Sequence, residues 1–224
     1  MRGGEIRTLA ERAGIASGVS VLDLCCGIAG PGRFLTQELG CSYLGVDASA
    51  AAVEIARSRA LARGLACRFE VAQLPPLPAG EWDAVLLLET MLAFPDKKGL
   101  VNAVARALPP GGRFAFTLEE GAPLTDAERG RMPDADTVWL TTLDELHALL
   151  TQEGLEVRWQ EDWSESHRLV ADSLAAAFAA DASAIAARIG RRALDELVAS
   201  HRLWSEWLAS GRVRKIAVVA ERSA

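Results

Sequence analysis

Two acids and a glycine turn carry the first chemical signal in the chain. Asp23 sits inside the apolar run Val19–Leu24, two residues before a turn through Cys25, Cys26 and Gly27. Asp47 closes a second apolar run, Tyr43–Asp47, 24 residues further on. An acid at that second position suits the two hydroxyls of a ribose. A carboxylate at Asp23 would repel a pyrophosphate but match a ligand carrying an ammonium group. The glycines agree. A dinucleotide fingerprint, G-x-G-x-x-G, brings a pyrophosphate against bare backbone, whereas Cys25-Cys26-Gly27-Ile28-Ala29-Gly30 keeps only the central glycine of such a turn.

Asp162, His167 and His201 are the candidate proton acceptors, residue types able to take a proton from a reacting hydroxyl. His167 shares a helical stripe with Val170, Leu174 and Phe178, and His201 one with Leu194, Leu197, Val198, Trp204 and Leu208. An isolated histidine on an apolar helix face is more often a satisfied core residue than a catalyst. His147, beside Leu143, Leu146 and Leu150, reads as structural.

The elements that must position these residues alternate between strand and helix. A short amphipathic helix over 5–14 precedes the first strand, 19–24. Pro31 suits a helix start, and the helix continues over 33–39. Ser49 caps a helix reaching Arg63, with Gly64 just beyond its end. Strands follow at 67–71 and 82–88, the latter a continuous apolar run of buried parallel type. Pro109-Pro110-Gly111-Gly112 ends a helix over 97–108 and leads into a strand at 113–118. Residues 119–138 read as a polar connection. Thr142 and Glu145 form a capping box, and strands at 155–163 and 213–221 flank an alanine-rich helical stretch, 164–210. This pattern predicts an α/β fold: a doubly wound, Rossmann-like, seven-stranded, mostly parallel sheet with an antiparallel last strand and a helical lid inserted before it. Residues 1–163 and 211–224 form the cofactor-binding core, and 164–210 the lid.

Composition narrows the partners. Half of the 224 residues are hydrophobic and the net charge is −6, which argues against nonspecific binding to nucleic acid or an anionic membrane. No window reaches transmembrane length, and the N-terminus lacks a signal-peptide pattern. The cysteines, 25, 26, 41 and 67, match no zinc or C-x-x-C spacing. They read as free thiols of a cytoplasmic protein without a metal site.

In its order of elements the chain resembles the class I S-adenosylmethionine-dependent methyltransferases, in the small-molecule branch that includes sugar, sterol and sarcosine enzymes. The residues around Asp23 and Gly27 are similar to the D-x-G-x-G-x-G motif, with Cys25 and Ala29 replacing its outer glycines. Leu108 to Arg113 resembles the L-x-P-G-G signature, and Glu81 to Glu89 the fourth strand. The resemblance implies S-adenosylmethionine as cofactor, S-adenosylhomocysteine as product, and a small-molecule acceptor with an apolar or aromatic part. It places Asp23, Cys25 and Gly27 at the methionine end of the cofactor, with Glu89 nearby. Asp47 takes the ribose, and Ala48 lies beside the adenine. Where relatives carry an Asp for the adenine amino group, this chain has Ala72 and Gln73, so Gln73 or backbone replaces that contact. The pair of histidines that sugar enzymes carry after the fourth strand becomes Leu92 and Ala93. Asp162 occupies the position of the branch's functional Asp.

An NAD-dependent oxidoreductase and a non-catalytic S-adenosylmethionine-binding protein are the other readings. A nucleic-acid methyltransferase lacks its N/D-P-P-Y motif here, where Leu88-Glu89-Thr90-Met91 stands. The short segment before the first strand leads us to expect an open cofactor cleft, or one completed by a second copy in a homodimer.

Overall fold

The computed structural model describes residues 1–224. The core is a seven-stranded sheet made of β1 (Ser20–Leu24), β2 (Ser42–Asp47), β3 (Arg68–Val71), β4 (Ala84–Leu87), β5 (Arg113–Glu120), β6 (Leu155–Asp162) and β7 (Arg214–Arg222). Its strand order is β3-β2-β1-β4-β5-β7-β6. β7 runs antiparallel to both neighbours, and the other six strands run in one direction. The sheet is therefore mostly parallel with an antiparallel last strand, as the alternation of elements predicts. The order reverses direction at β1, between β2 and β4, which opens a crevice at the carboxyl ends of those strands.

Helices cover both faces. They are α1 (Gly3–Arg12), α2 (Gly30–Leu39), α3 (Ala50–Leu61), α4 (Lys97–Ala107), α5 (Asp126–Arg129) and α6 (Leu143–Gln152). One apolar layer packs Leu22, Leu24, Val85, Leu87, Phe114 and Phe116 toward α4 and α6. The other packs Val21, Tyr43, Leu86, Ala115 and Val219 toward α1, α2 and α3. Successive strand residues face opposite sides, so a strand covered on both faces must be apolar throughout. β4 is fully buried along its length for this reason. The caps are local. Ser49 Oγ accepts from Ala52 N, and Thr142 and Glu145 cap reciprocally.

Residues 164–210 form α7 (Ser164–Ala180), α8 (Ala182–Ile189) and α9 (Arg191–Ser210), inserted between β6 and β7. Because β6 runs with the parallel strands, this insert emerges at their carboxyl edge, and the antiparallel β7 re-enters the sheet from there. Asp172 joins α7 to α9 by accepting from Ser205 Oγ, and it also pairs with Arg168. No single helix is long and apolar enough to cross a membrane; only α7 and α8 taken together reach that length, and they are bent by 84°.

Several boundaries differ from the sequence reading. The first helix begins and ends about two residues earlier. The fourth strand starts at Ala84, because Trp82 and Asp83 belong to its approach; Asp83 instead accepts from Ser20 N and Oγ. β5 continues to Glu120, so Glu119 is the buried mouth of a strand and not the start of a polar loop.

Candidate active site

The crevice is shaped by strained backbone. Cys25, Ala29 and Glu89 all have positive φ, at 55°, 53° and 61°. Non-glycine residues rarely adopt this conformation, and they concentrate where the surrounding structure holds them for function. Gly27, at φ 54°, donates its N–H to Asp47 Oδ2 at 2.8 Å. A Cβ at Gly27 or Gly30 would meet no protein atom within 4 Å, so both present bare backbone to open space.

Behind this turn, Asp23 is buried at 2% exposure and accepts from Tyr43 Oη at 2.5 Å. Tyr43 fits because Gly32 and Gly45 leave room; a Cβ on Gly32 would lie 2.1 Å from the Tyr43 ring. Burial pushes the Asp23 carboxyl up to about 7, against the Tyr43 hydrogen bond. Burial likewise pushes the Cys25 thiol up to about 11, and the Cys26 thiol is also raised, which leaves both as uncharged wall atoms. All four cysteines are unpaired.

Asp23, Cys25, Cys26, Gly30, Leu88 and Glu89 line a cavity of about 320 Å³, closed on one side by Met1 and by Ile6 of α1. α1 packs on α2, turning Ile6 inward to this side of the cavity. Asp47, Ala48, Ala72 and Gln73 are outside this cavity, on the adjoining open edge. Asp47 Oδ1 accepts from Ser49 N and its carbonyl accepts from Ala72 N. Ala48 and Gln73 are exposed.

A second cavity, of about 260 Å³, lies under α7 and α9. Leu92, Val170, Leu174 and Trp204 supply its apolar wall, and Glu89, Glu119, His167 and His201 its ionisable groups. Glu89 and Met1 line both cavities. Glu89 is held by a hydrogen bond from its N–H to Thr117 Oγ1 at 2.7 Å. Its side chain keeps 38% exposure, and that surface faces the two cavities it lines. Burial would raise its carboxyl, but Lys215, the amino terminus and His167 together hold it below the usual range. His167 Nδ1 lies 3.5 Å from Glu89 Oε1. Burial, reinforced by Lys215, lowers the His167 pKa below its ordinary 6.5 despite Glu89 and Glu119. His201 Nδ1 lies 2.8 Å from Leu197 O, one helical turn back, and its ring packs edge-on against Phe178.

Asp162 is not part of either cavity. It ends β6, the outermost strand beyond β7, and its Oδ1 accepts from Ser164 N and Oγ at the start of α7. Its carboxylate thus holds the start of α7 and stands apart from His167 and His201, the other proposed proton acceptors, which line the lid cavity. Of the tryptophans, Trp159 and Trp163 pack on the sheet and Trp207 in a small satellite core; only Trp204 reaches the lid cavity.

The sequence reading missed Glu119 and Lys215. They stand directly opposite in the β5–β7 register, 4% and 1% exposed, with Lys215 Nζ bonded to Glu119 Oε1 and 3.8 Å from Glu89. The available signal was the cationic pair Arg214–Lys215 opening the apolar run Ile216–Ala220, together with the acids Glu119 and Glu120 closing β5. The largest cavity, about 630 Å³, lies elsewhere, between α4, α6 and residues 123–141. Its buried Lys97 is already bonded to the carbonyls of Phe94 and Trp139.

Comparison with known proteins agrees with this geometry. Residues 21–112 match the model of a methyltransferase domain. That stretch carries a methyltransferase domain. The chain is 30% identical over 181 residues to the methyltransferase GfsG of Streptomyces halstedii, covering 76% of this chain and 64% of that protein. It is 32% identical over 169 residues to the 27-O-demethylrifamycin SV methyltransferase of Amycolatopsis mediterranei, covering 71% and 62%. The chain thus spans a little under two thirds of the length of these relatives. Its fold matches that of Haemonchus contortus phosphoethanolamine N-methyltransferase 2 in complex with phosphomonomethylethanolamine and S-adenosylhomocysteine. That match has a TM-score of 0.84 at 19% identity and covers 99% of this chain and 53% of that one. In this chain the turn with positive φ at Cys25, Gly27 and Ala29 follows β1, Asp47 closes β2, and Glu89 lies just beyond β4.

Proposed function

We propose that the chain binds S-adenosylmethionine along β1, β2 and β4 and methylates a small, largely apolar molecule held under α7–α9. The observation that carries this reading is the shared wall: Glu89 separates a cavity suited to the cofactor from one suited to an acceptor. The donor set fits the cofactor. The bare backbone at Gly27 and Gly30 leaves room for its approach, and Asp23 and Glu89 match an ammonium group while disfavouring a pyrophosphate. Asp47 retains lone pairs for the ribose hydroxyls, with Ala48, Ala72 and Gln73 bordering the adenine. Cys25 replaces a glycine with a small uncharged side chain.

When bound, S-adenosylmethionine supplies a methyl group on a sulfonium, open to in-line attack. The work left to the chain is to hold the acceptor in line, exclude water and take a proton. Leu92, Val170, Leu174 and Trp204 exclude water. His167 is kept neutral by burial and Lys215, so it can accept a proton. With Nδ1 on the Glu89 side, at 3.5 Å, Nε2 is the ring nitrogen left to accept that proton. His201 is oriented by the Leu197 carbonyl, 2.8 Å from its Nδ1. An alcohol acceptor needs this assistance, and an amine needs less.

Calorimetry with S-adenosylhomocysteine tests the reading. Asp47→Ala should weaken binding by about 1.5–3 kcal/mol, the range for hydrogen bonds to a charged group. Absence of heat with the wild-type protein, alongside a clear NAD isotherm, would contradict it.

A further inference from the structure

Glu119 has a duty unmet within the protein. Its side chain is 5% exposed, and Oε1 is taken by Lys215 Nζ. Oε2 is buried with no hydrogen-bond partner, although Glu119 lines the lid cavity. Buried acceptors are almost always satisfied, and an exception calls for a partner that is absent. No neighbour meets it: Lys215 Nζ is bonded to Oε1, Thr117 Oγ1 accepts the Glu89 N–H, and neither they nor the polar side chains that share the cavity, Glu89, His167, Ser200 and His201, make a hydrogen bond to Oε2.

We propose that Glu119 is the acceptor-recognition residue of the lid cavity, its Oε2 receiving a hydrogen bond from a hydroxyl of the acceptor other than the one methylated. This rests on the methyltransferase reading and names its substrate class: neutral, apolar-bodied molecules carrying at least two hydroxyls. An anionic acceptor is disfavoured by Glu89 and Glu119 on the cavity floor. A cationic one gains little, because Lys215 already neutralises Glu119. A hydroxyl gains a charge-assisted hydrogen bond without bringing a charge into the cavity. The second hydroxyl, the nucleophile, is left for His167 beside the Glu89 wall.

Matched probes isolate the effect. trans-1,2-Cyclohexanediol and cyclohexanol have the same apolar body and differ by one hydroxyl. Their affinities are measured by ligand-observed NMR on protein saturated with S-adenosylhomocysteine. The wild-type protein should prefer the diol by about tenfold, the factor that one hydrogen bond to a charged group confers. Glu119→Gln leaves Lys215 buried without its carboxylate, so the double variant Glu119→Met with Lys215→Met is made beside it. Replacing both members of a buried ion pair by apolar groups is often tolerated. The diol preference should fall to about onefold in the double variant. Equal affinity of the two probes for the wild-type protein, or an undiminished preference in the double variant, would overturn the proposal. The wild-type ratio decides alone if neither variant folds. Failure of S-adenosylhomocysteine to saturate the wild-type protein, read separately by calorimetry, would count against the methyltransferase reading itself.

Discussion

Asp23 and His167 show how burial sets the chemistry of single residues. The folded pKa of Asp23, about 7, lies above its ordinary 3.8. The native form therefore holds a proton more tightly than the unfolded chain, and stability of the ligand-free protein falls as pH rises through that window. Asp23→Asn removes the penalty, so at pH 8 it should melt higher than wild type while binding S-adenosylhomocysteine at least about tenfold more weakly, through loss of one charged partner. A lower melting temperature at pH 8 with unchanged binding would contradict the assignment. For His167, His167→Gln should cost about a hundredfold in turnover of an alcohol acceptor and leave cofactor affinity intact. Because its pKa is lowered, the wild-type rate should stay flat with falling pH until below 6.5. A rate that already falls above that value would place the base elsewhere. The sequence reading could find Asp23, Asp47, Glu89 and His167, because each follows a recognisable strand or shares a helical stripe. It could not pair Glu119 with Lys215, which lie 96 residues apart and meet only through the antiparallel register. Asp162 ends the edge strand β6, a placement that follows from the strand order and not from the sequence around it.

The elements were readable wherever local chemistry marks their ends. Ser49, Thr142 and the Pro109–Gly112 turn each leave an oriented hydrogen bond or a forbidden helix conformation in the sequence. The end of β5 was not marked, since Glu119 and Glu120 look like loop residues and their burial depends on β7. α7–α9 differ from the sheet in how they are held. α8 has no buried residue, and α7 buries only Ala171 and Ala175. Hydrogen exchange should therefore be fastest in α8, intermediate in α7 and α9, and slowest in β1, β4 and β5. An acceptor bound with S-adenosylhomocysteine should slow exchange in α7 and α9, as expected of a cover that closes over its ligand. Exchange in α8 as slow as in β4 would argue that this segment is a fixed part of the core.

At the scale of the whole molecule, topology brings the site together. The switch of strand order at β1 opens the crevice, and the antiparallel β7 re-enters the sheet from the carboxyl edge, so that Lys215 meets Glu119 and the inserted helices roof the Glu89 wall. Strand and helix alternation predicts the sheet, but not that two cavities share one residue. The structure with S-adenosylhomocysteine bound tests that arrangement most directly. The account predicts both ribose hydroxyls on the Asp47 carboxylate, and the sulfur at the Glu89 wall facing the cavity that His167 lines. A ligand whose sulfur points away from that cavity, with Glu89 and His167 out of contact with the space beyond it, would contradict the account.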